Sequence, residues 1–166
     1  GIDGISFDYI GYVNYKGCYC DDCLALYKKY IADNKLPDNE KSRNDFYLKQ
    51  LVDYNNAMVD YVKSLNPDFK VMAHIYPVFM PEPLYGNRLK VDYCGQTAAW
   101  YFFWDKEKIR SYSKIITSEQ NKYFPDVKGI AFLGYYYKSP SFPEKSPERI
   151  ELELKAMLEG GAEYLM

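Results

Sequence analysis

The sequence predicts an α/β fold, namely the C-terminal portion (about five β/α units, strands 4 to 8) of a (β/α)8 barrel, as a single partial domain over residues 1–166. Apolar segments of strand length alternate with helical segments, and this alternation favours a parallel sheet with right-handed crossovers. No glycine-rich phosphate loop follows a predicted strand, so a doubly wound nucleotide-binding sheet lacks its signature. Both ends of the sequence read as strands, so we expect a piece of a larger barrel. Any signal peptide would lie upstream, which leaves a cytoplasmic or a secreted location open.

The composition limits the kinds of partner. A formal net charge of −2, from 21 basic and 23 acidic residues, offers no basic surface for nucleic acid. No run of about 18 apolar residues occurs, so no segment is predicted to span a membrane. The 19 tyrosines and two tryptophans are many for this length, and aromatic rings often line sugar-binding clefts. The aromatic content is therefore compatible with a carbohydrate partner, with a general compositional bias as the alternative explanation, and the oligomeric state is not predicted.

The first half of the chain contains one strand and two helices. The apolar pattern of the first ten residues predicts a short strand, and Asp8 places a carboxylate at its end. Apolar residues at helical spacing predict a helix from about Asp21 to Asp33, and Pro37 follows in the break. A longer helix is predicted from an N-cap at Ser42 to Leu65, and the Asn-Pro pair at 66–67 ends it.

The second half repeats a strand followed by a connection or a helix. Asp105 is the predicted cap of one helix, and Ser146 followed by Pro147 opens the last one. The predicted elements are strands Phe69–Tyr76, Leu89–Gln96 and Val127–Leu133, helices from Asp105 to about Tyr123 and from Ser146 to Gly160, and a final strand from Ala162.

Residues at the ends of predicted strands are candidates for a functional site, because parallel strands meet at one edge where α/β barrels build their sites. Asp8 is the first candidate for a catalytic carboxylate, and the alternative is that it caps the next turn or pairs with a basic neighbour. A different barrel enzyme, such as a lyase or aldolase, is a weaker alternative. A Schiff-base lysine is not indicated, because Lys70 and Lys90 begin their strands, away from the edge where the site is expected. The candidate substrate contacts are His74, Tyr76, Gln96, Trp100, Trp104, Tyr135 and Tyr136. His74 equally suits a buried structural histidine, and the tryptophans equally suit covering the following helix.

A cysteine cluster follows the first strand. Cys18, Cys20 and Cys23 form a Cys-x-Cys-x-x-Cys run, and three thiolates this close can share one tetrahedral metal, zinc by default. The fourth ligand is either Cys94 or a residue outside this segment. Such a zinc would be structural, because catalytic zinc keeps an open position. Free thiols or a disulfide are the alternatives.

Three short motifs carry a resemblance to known enzymes. The segment Asp-Gly-Ile-Ser-Phe-Asp-Tyr-Ile at 3–10 resembles a strand of barrel-type glycoside hydrolases, usually their fourth. Val-Asp-Tyr-Cys-Gly-Gln at 91–96 resembles a later strand of hypothetical bacterial glycosidases. The cysteine run at 17–23 is similar to that of a family of bacterial β-galactosidases, where it holds a structural zinc with one upstream cysteine. The resemblance implies a hydrolase acting on O-glycosidic bonds of a carbohydrate.

The resemblance also implies a pair of carboxylates, and here the chain departs from the commonest arrangement. Barrel enzymes with two glutamates place them after strands four and seven, whereas this chain has Asp8 at the first position and Gly-Tyr at 134–135 at the second. Asp8 fits a second arrangement, with an aspartate nucleophile on strand four. Asp92 is the nearest match for its acid, although it lies about 13 Å down the strand from Gln96. Glu82 and Glu144 on loops are further candidates. The alternative function is a carbohydrate-binding barrel that has lost one catalytic carboxylate.

Overall fold

The computed structural model describes residues 1–8, 10–12, 16–75, 88–99, 103–119, 124–135 and 143–166. Within these residues the chain forms five strands and four helices. None of these helices combines the length and apolar character needed to cross a bilayer. The elements in chain order are β1 (Gly4–Phe7), α1 (Asp21–Asp33), α2 (Glu40–Leu65), β2 (Lys70–Ile75), β3 (Tyr93–Ala99), α3 (Lys106–Glu119), β4 (Lys128–Leu133), α4 (Pro147–Glu159) and β5 (Tyr164–Leu165).

The strands form one parallel sheet in which every strand pairs with its neighbour in sequence, in the order β1-β2-β3-β4-β5. A doubly wound sheet would reverse its strand order at a switch point, whereas an uninterrupted sequential order is that of a barrel wall. The predicted parallel α/β fold is therefore confirmed as a partial, TIM-barrel-like sheet. Its assignment to strands 4 to 8 of a barrel stays a prediction.

One side of the sheet packs against the helices. Val71 and Ala73 of β2 lie in an apolar cluster with Leu51, Val59 and Val62 of α2, and this cluster also contains Cys94 of β3. Ala99 and Ala131 lie in a second cluster with residues of α3 and α4. Successive strand residues point to opposite sides of a sheet. The second side of the sheet therefore carries Met72, His74, Gly95 and Phe132.

Two helix starts show where capping was predicted well and where it was not. Ser146 caps α4 as predicted, with its side chain accepting from the Arg149 N–H, and Gly161 follows the helix at a φ of 91°. The prediction of Ser42 as the cap of α2 is wrong. Asn39 is the cap, and its Oδ1 accepts the Ser42 N–H at 2.9 Å. Ser42 is buried in the first turn, and the cap lies three residues earlier than predicted.

Strand β3 lies later in the chain than predicted. Leu89 and Val91 are buried in the core, but regular pairing begins only at Tyr93. The Asp92 carboxylate accepts the Val71 N–H at 2.8 Å, so a side chain replaces a ladder bond at this point. Beyond residue 96 the pairing continues across a β-bulge to Ala99. Gln96 therefore lies inside β3, which corrects its predicted place at the strand end.

Candidate functional site at the carboxyl edge of the sheet

Asp8 and His74 meet at the carboxyl edge of the sheet. Phe7 of β1 lies opposite Ala73 of β2, so the next residue of each chain segment, Asp8 and His74, stand at the same level. His74 Nδ1 lies 2.8 Å from Asp8 Oδ1. The structure thus brings together the predicted carboxylate and the chain's one histidine, two candidates that are 66 residues apart in sequence.

The two partners differ sharply in exposure. The Asp8 side chain is 61% exposed, whereas that of His74 is 5% exposed. Burial lowers the pKa of His74 below its usual value, and the nearby Asp8 charge opposes that change without cancelling it. At neutral pH His74 is therefore a neutral imidazole, which can donate its Nδ1–H to the Asp8 carboxylate.

Phe132 and Gly95 complete the surroundings of the imidazole. The rings of His74 and Phe132 are stacked, with centroids 4.1 Å apart and planes inclined by 22°. Gly95 lies opposite His74 on β3, between the two strands that carry the rings. A Cβ at position 95 would overlap the Phe132 ring, so only glycine leaves space for this stack. Sequence reasoning missed both residues, although a glycine inside a strand is a signal of close approach.

Asp92 lies at the opposite, amino edge of the sheet. Its Oδ2 contacts Lys63 Nζ at 2.7 Å, and Lys70 Nζ lies 3.4 Å from its Oδ1. Burial alone would raise the pKa of Asp92, but the bond from Lys63 and the Val71 N–H hold it below the usual value. Asp92 is level with Val71, which puts it about 10 Å along the strand direction from the level of His74. The structure therefore does not bring Asp92 to Asp8, and gives it the role of joining α2 to two strands.

The aromatic candidates are placed differently from one another. Trp104 packs against Tyr112 of α3, with ring centroids 5.1 Å apart, and Lys108 Nζ lies 3.9 Å above its ring. Trp104 thus covers the helix that follows it, the alternative that the sequence left open. Tyr135 is exposed just beyond β4, and its hydroxyl donates a hydrogen bond to Glu144. The residues Tyr76, Glu82, Trp100 and Tyr136, and the side chain of Gln96, lie outside the described part of the structure.

A buried charge cluster, which the sequence did not reveal, lies near the ends of β3 and β4. Lys145 Nζ donates to the carbonyl oxygen of Ala99 at 2.7 Å and to Glu153 Oε2 at 2.6 Å. Arg149 Nε donates to the other Glu153 oxygen at 2.6 Å, and the Arg149 guanidinium also donates to the Trp104 carbonyl. Burial lowers the pKa of Lys145, and the Glu153 charge opposes this. The cluster joins the end of β3, the start of α3 and the start of α4.

Cys18, Cys20 and Cys23 come together as predicted. Their sulfur atoms all lie within 4.8 Å of one another, and the Sγ atoms of Cys18 and Cys20 are 3.3 Å apart. Sulfur ligands of a tetrahedral zinc are about 3.8 Å apart, so small shifts would bring these three around one ion. A backbone hydrogen bond from Cys20 lowers the pKa of Cys18, while bonding to the other two thiols raises that of Cys23 to about 12. Cys94 is buried against α2 and is not part of the cluster.

The cysteine cluster is fixed to α2 through Tyr47. The Tyr47 ring is buried, and a Cβ on Gly17 would lie 2.5 Å from that ring. The Tyr47 hydroxyl donates to the Cys18 carbonyl, and the Tyr12 hydroxyl donates to the Tyr47 carbonyl at 3.1 Å. Tyr12 follows Asp8 by four residues. The cluster is thereby connected to the segment that leaves the candidate site.

Comparison with known proteins gives a likeness in fold. No protein-family model and no curated protein sequence matches the chain. Two crystal structures of bee venom hyaluronidase, a monoclinic form and a complex with a hyaluronic acid tetramer, are similar, with TM-scores of 0.52 and 0.51. Identity is 11% and 10%, and each match covers 86% of this chain. The chain spans about half of those proteins, 54% and 52%. At this identity the likeness shows the fold alone, which is consistent with a partial, TIM-barrel-like α/β fold.

Proposed function

We propose that this protein is a glycoside-hydrolase-like protein that hydrolyses O-glycosidic bonds of a carbohydrate, with Asp8 as one of its catalytic carboxylates. The observation that carries the proposal is the position of Asp8, which is exposed at the carboxyl edge of the sheet and hydrogen bonded to a buried histidine. Enzymes of barrel fold build their sites at this edge, and glycoside hydrolysis relies on carboxylates fixed there. The fold neighbours support the substrate class, because hyaluronidase is named for hyaluronic acid, a carbohydrate.

A second carboxylate is needed for hydrolysis, about 5–5.5 Å from Asp8 for retention of configuration or about 6.5–9.5 Å for inversion. Asp92 does not fit, because it lies at the other edge and is engaged by Lys63. Glu144 is the better candidate of those described. The residue after it, Lys145, reaches the end of β3, so Glu144 belongs to the same edge of the sheet as Asp8. Glu82 remains a candidate from the sequence.

A carbohydrate-binding protein without turnover is the second candidate function. This alternative is supported because two candidates for the second carboxylate already have other partners. Asp92 is ion paired at the amino edge of the sheet, and Glu144 accepts a hydrogen bond from Tyr135. In that case Asp8 would accept hydrogen bonds from sugar hydroxyls, and the exposed Tyr135 ring would offer an apolar face to the sugar.

The cysteine cluster fits a structural zinc, held by Cys18, Cys20 and Cys23 with a further ligand. A metal bound there would supply a cross-link between the loop after β1 and the start of α1, rather than chemistry on the substrate. The proposal of a zinc site is supported by the three sulfur atoms, which all lie within 4.8 Å of one another.

The deciding experiment replaces Asp8 by asparagine, which keeps the shape and removes the charge. We expect turnover of an aryl glycoside to fall by about a thousandfold or more with little change in sugar affinity, because the lost interaction belongs to the transition state. In a binding protein there is no turnover, and the same change weakens sugar binding by about 1–3 kcal/mol. Asp3→Asn, at the amino end of the same strand segment, is the matched control and should leave both properties unchanged. Turnover that survives Asp8→Asn would contradict the proposal.

A further inference from the structure

We propose that His74 is a positioning residue that, fixed between Asp8 and Phe132, orients the Asp8 carboxylate toward the substrate. This inference rests on the proposed function of Asp8. It gives His74 a different role from the substrate contact that the sequence suggested.

The order of burial decides which member of the pair faces the substrate. In a Ser-His-Asp triad the aspartate is buried and orients a histidine that meets the reacting groups. Here the order is reversed, because the carboxylate is 61% exposed and the imidazole 5% exposed. A substrate that approaches the carboxyl edge meets Asp8 first. The buried imidazole is therefore the orienting member of the pair.

The imidazole is restrained on its edge and on its face. Its Nδ1 edge contacts Asp8, and its face lies on the Phe132 ring at 4.1 Å between centroids. Rotation of the ring about its bond to Cβ would break both contacts. Strands β1, β2, β3 and β4 all contribute, since Gly95 of β3 provides the space for the stack. The donor that Asp8 contacts is thereby held by paired strands rather than by a loop, as precise positioning requires.

The groups around the His74 ring favour its neutral form, in which the Nδ1–H is the donor to Asp8. Asp8, which follows β1, presents its carboxylate, while Gly95 of β3 and Phe132 of β4, which lie beside the ring in the described part of the structure, carry no charge. Burial disfavours the imidazolium form more than Asp8 favours it. The Nδ1–H of a neutral ring can then serve one Asp8 oxygen throughout the neutral pH range, which fixes the plane of the carboxylate.

Two substitutions of His74 separate positioning from sugar contact. His74→Asn keeps an amide donor close to the place of Nδ1, whereas His74→Leu removes the donor and keeps an apolar side chain of similar bulk. With an aryl glycoside as substrate, we expect His74→Leu to lower kcat by about 10- to 100-fold at nearly constant KM, and His74→Asn to recover most of this loss. A rise in KM at constant kcat would identify His74 as a sugar contact and overturn the proposal. If the protein shows no turnover, the affinity for a hyaluronic acid tetramer or another bound sugar is measured in place of kcat. Equal affinities of His74→Leu and His74→Asn would then overturn the proposal.

A second readout does not depend on activity. The chain has one histidine, so NMR of the protein carrying 15N-labelled histidine reports His74 without assignment. We expect the neutral tautomer with the proton on Nδ1 at pH 7 in the folded protein, and a clear change of the 15N shifts in Asp8→Asn. A proton on Nε2, or 15N shifts of His74 that do not change in Asp8→Asn, would overturn the proposal even in an active enzyme. If the expected tautomer is found in a protein without turnover, the hydrolase function is contradicted, whereas the positioning role of His74 is not.

Discussion

Lys145 and Glu153 form an ion pair in which neither side chain is exposed, with Nζ 2.6 Å from Oε2. Lysine and glutamate are rarely buried unless they are paired, because the loss of hydration of two charges is costly. Other bonds of this pair go to the Ala99 carbonyl and to Arg149. The pair therefore fixes α4 to the end of β3 at the edge where the candidate site lies.

Removal of one partner should be strongly destabilising. Glu153→Gln removes the carboxylate charge that pairs with the buried Lys145 ammonium and with Arg149, so we expect the free energy of unfolding to fall by about 3–5 kcal/mol. Urea denaturation followed by circular dichroism measures this. Glu151→Gln on the same helix is the control, because its pair with Lys155 is exposed to solvent and contributes little to stability. Equal stability of the two variants would show that the buried pair is not required for the fold.

The pH dependence of stability should reveal His74. Burial lowers its pKa in the folded state, so as the pH falls below about 6.5 the unfolded chain binds a proton before the folded one does. Stability is then complete above the unfolded pKa and decreases as the pH falls toward the lower folded pKa. His74→Asn cannot titrate, so its unfolding free energy should lose this slope. Urea midpoints measured between about pH 5 and pH 7.5 test this, and a variant profile parallel to that of the unmodified protein would contradict it.

The sequence predicted the meeting of Asp8 and His74 only in part. Alternation of strands and helices implied a parallel sheet, and a parallel sheet puts residues that end neighbouring strands at one edge. The register between β1 and β2, which makes Asp8 level with His74, depends on long-range packing and has no local signal. Asp92 shows the same limit, because its place before β3 follows from its bonds to Lys63 and Val71.

The buried ion pair of Lys145 and Glu153 could not be predicted from the sequence, for a different reason. Lys145 reads as a surface residue in an exposed loop, and composition alone argues against its burial. Its pairing with Glu153 requires the segment after β4 to fold back on the end of β3, which the pattern of apolar residues does not encode. By contrast, α1 was predicted at its observed bounds, since the helical spacing of apolar residues and the break that contains Pro37 are local signals.

Gly95 should be intolerant of even the smallest side chain. The methyl group of Gly95→Ala would overlap the Phe132 ring and displace it from His74. We expect a loss of about 1–3 kcal/mol in unfolding free energy from overpacking, together with a change in the NMR signals of His74. Adding Phe132→Leu to Gly95→Ala should recover part of this stability, because the smaller side chain frees the space. If Gly95→Ala is as stable as the unmodified protein and leaves His74 unperturbed, the close stack over Gly95 does not exist in solution.

The cysteine cluster yields the last prediction. If Cys18, Cys20 and Cys23 hold zinc, the purified protein should contain about one equivalent, and Cys20→Ser should lower both metal content and melting temperature, since structural zinc contributes folding energy directly. Elemental analysis and thermal denaturation with and without a chelator measure this. Cys94→Ser is the matched control, because Cys94 lies in the core against α2, and its removal should lower stability but leave the metal content unchanged. Metal-free protein with titratable thiols would contradict a zinc site at the three cysteines, whereas loss of metal in Cys94→Ser would contradict only the separation of Cys94 from that site.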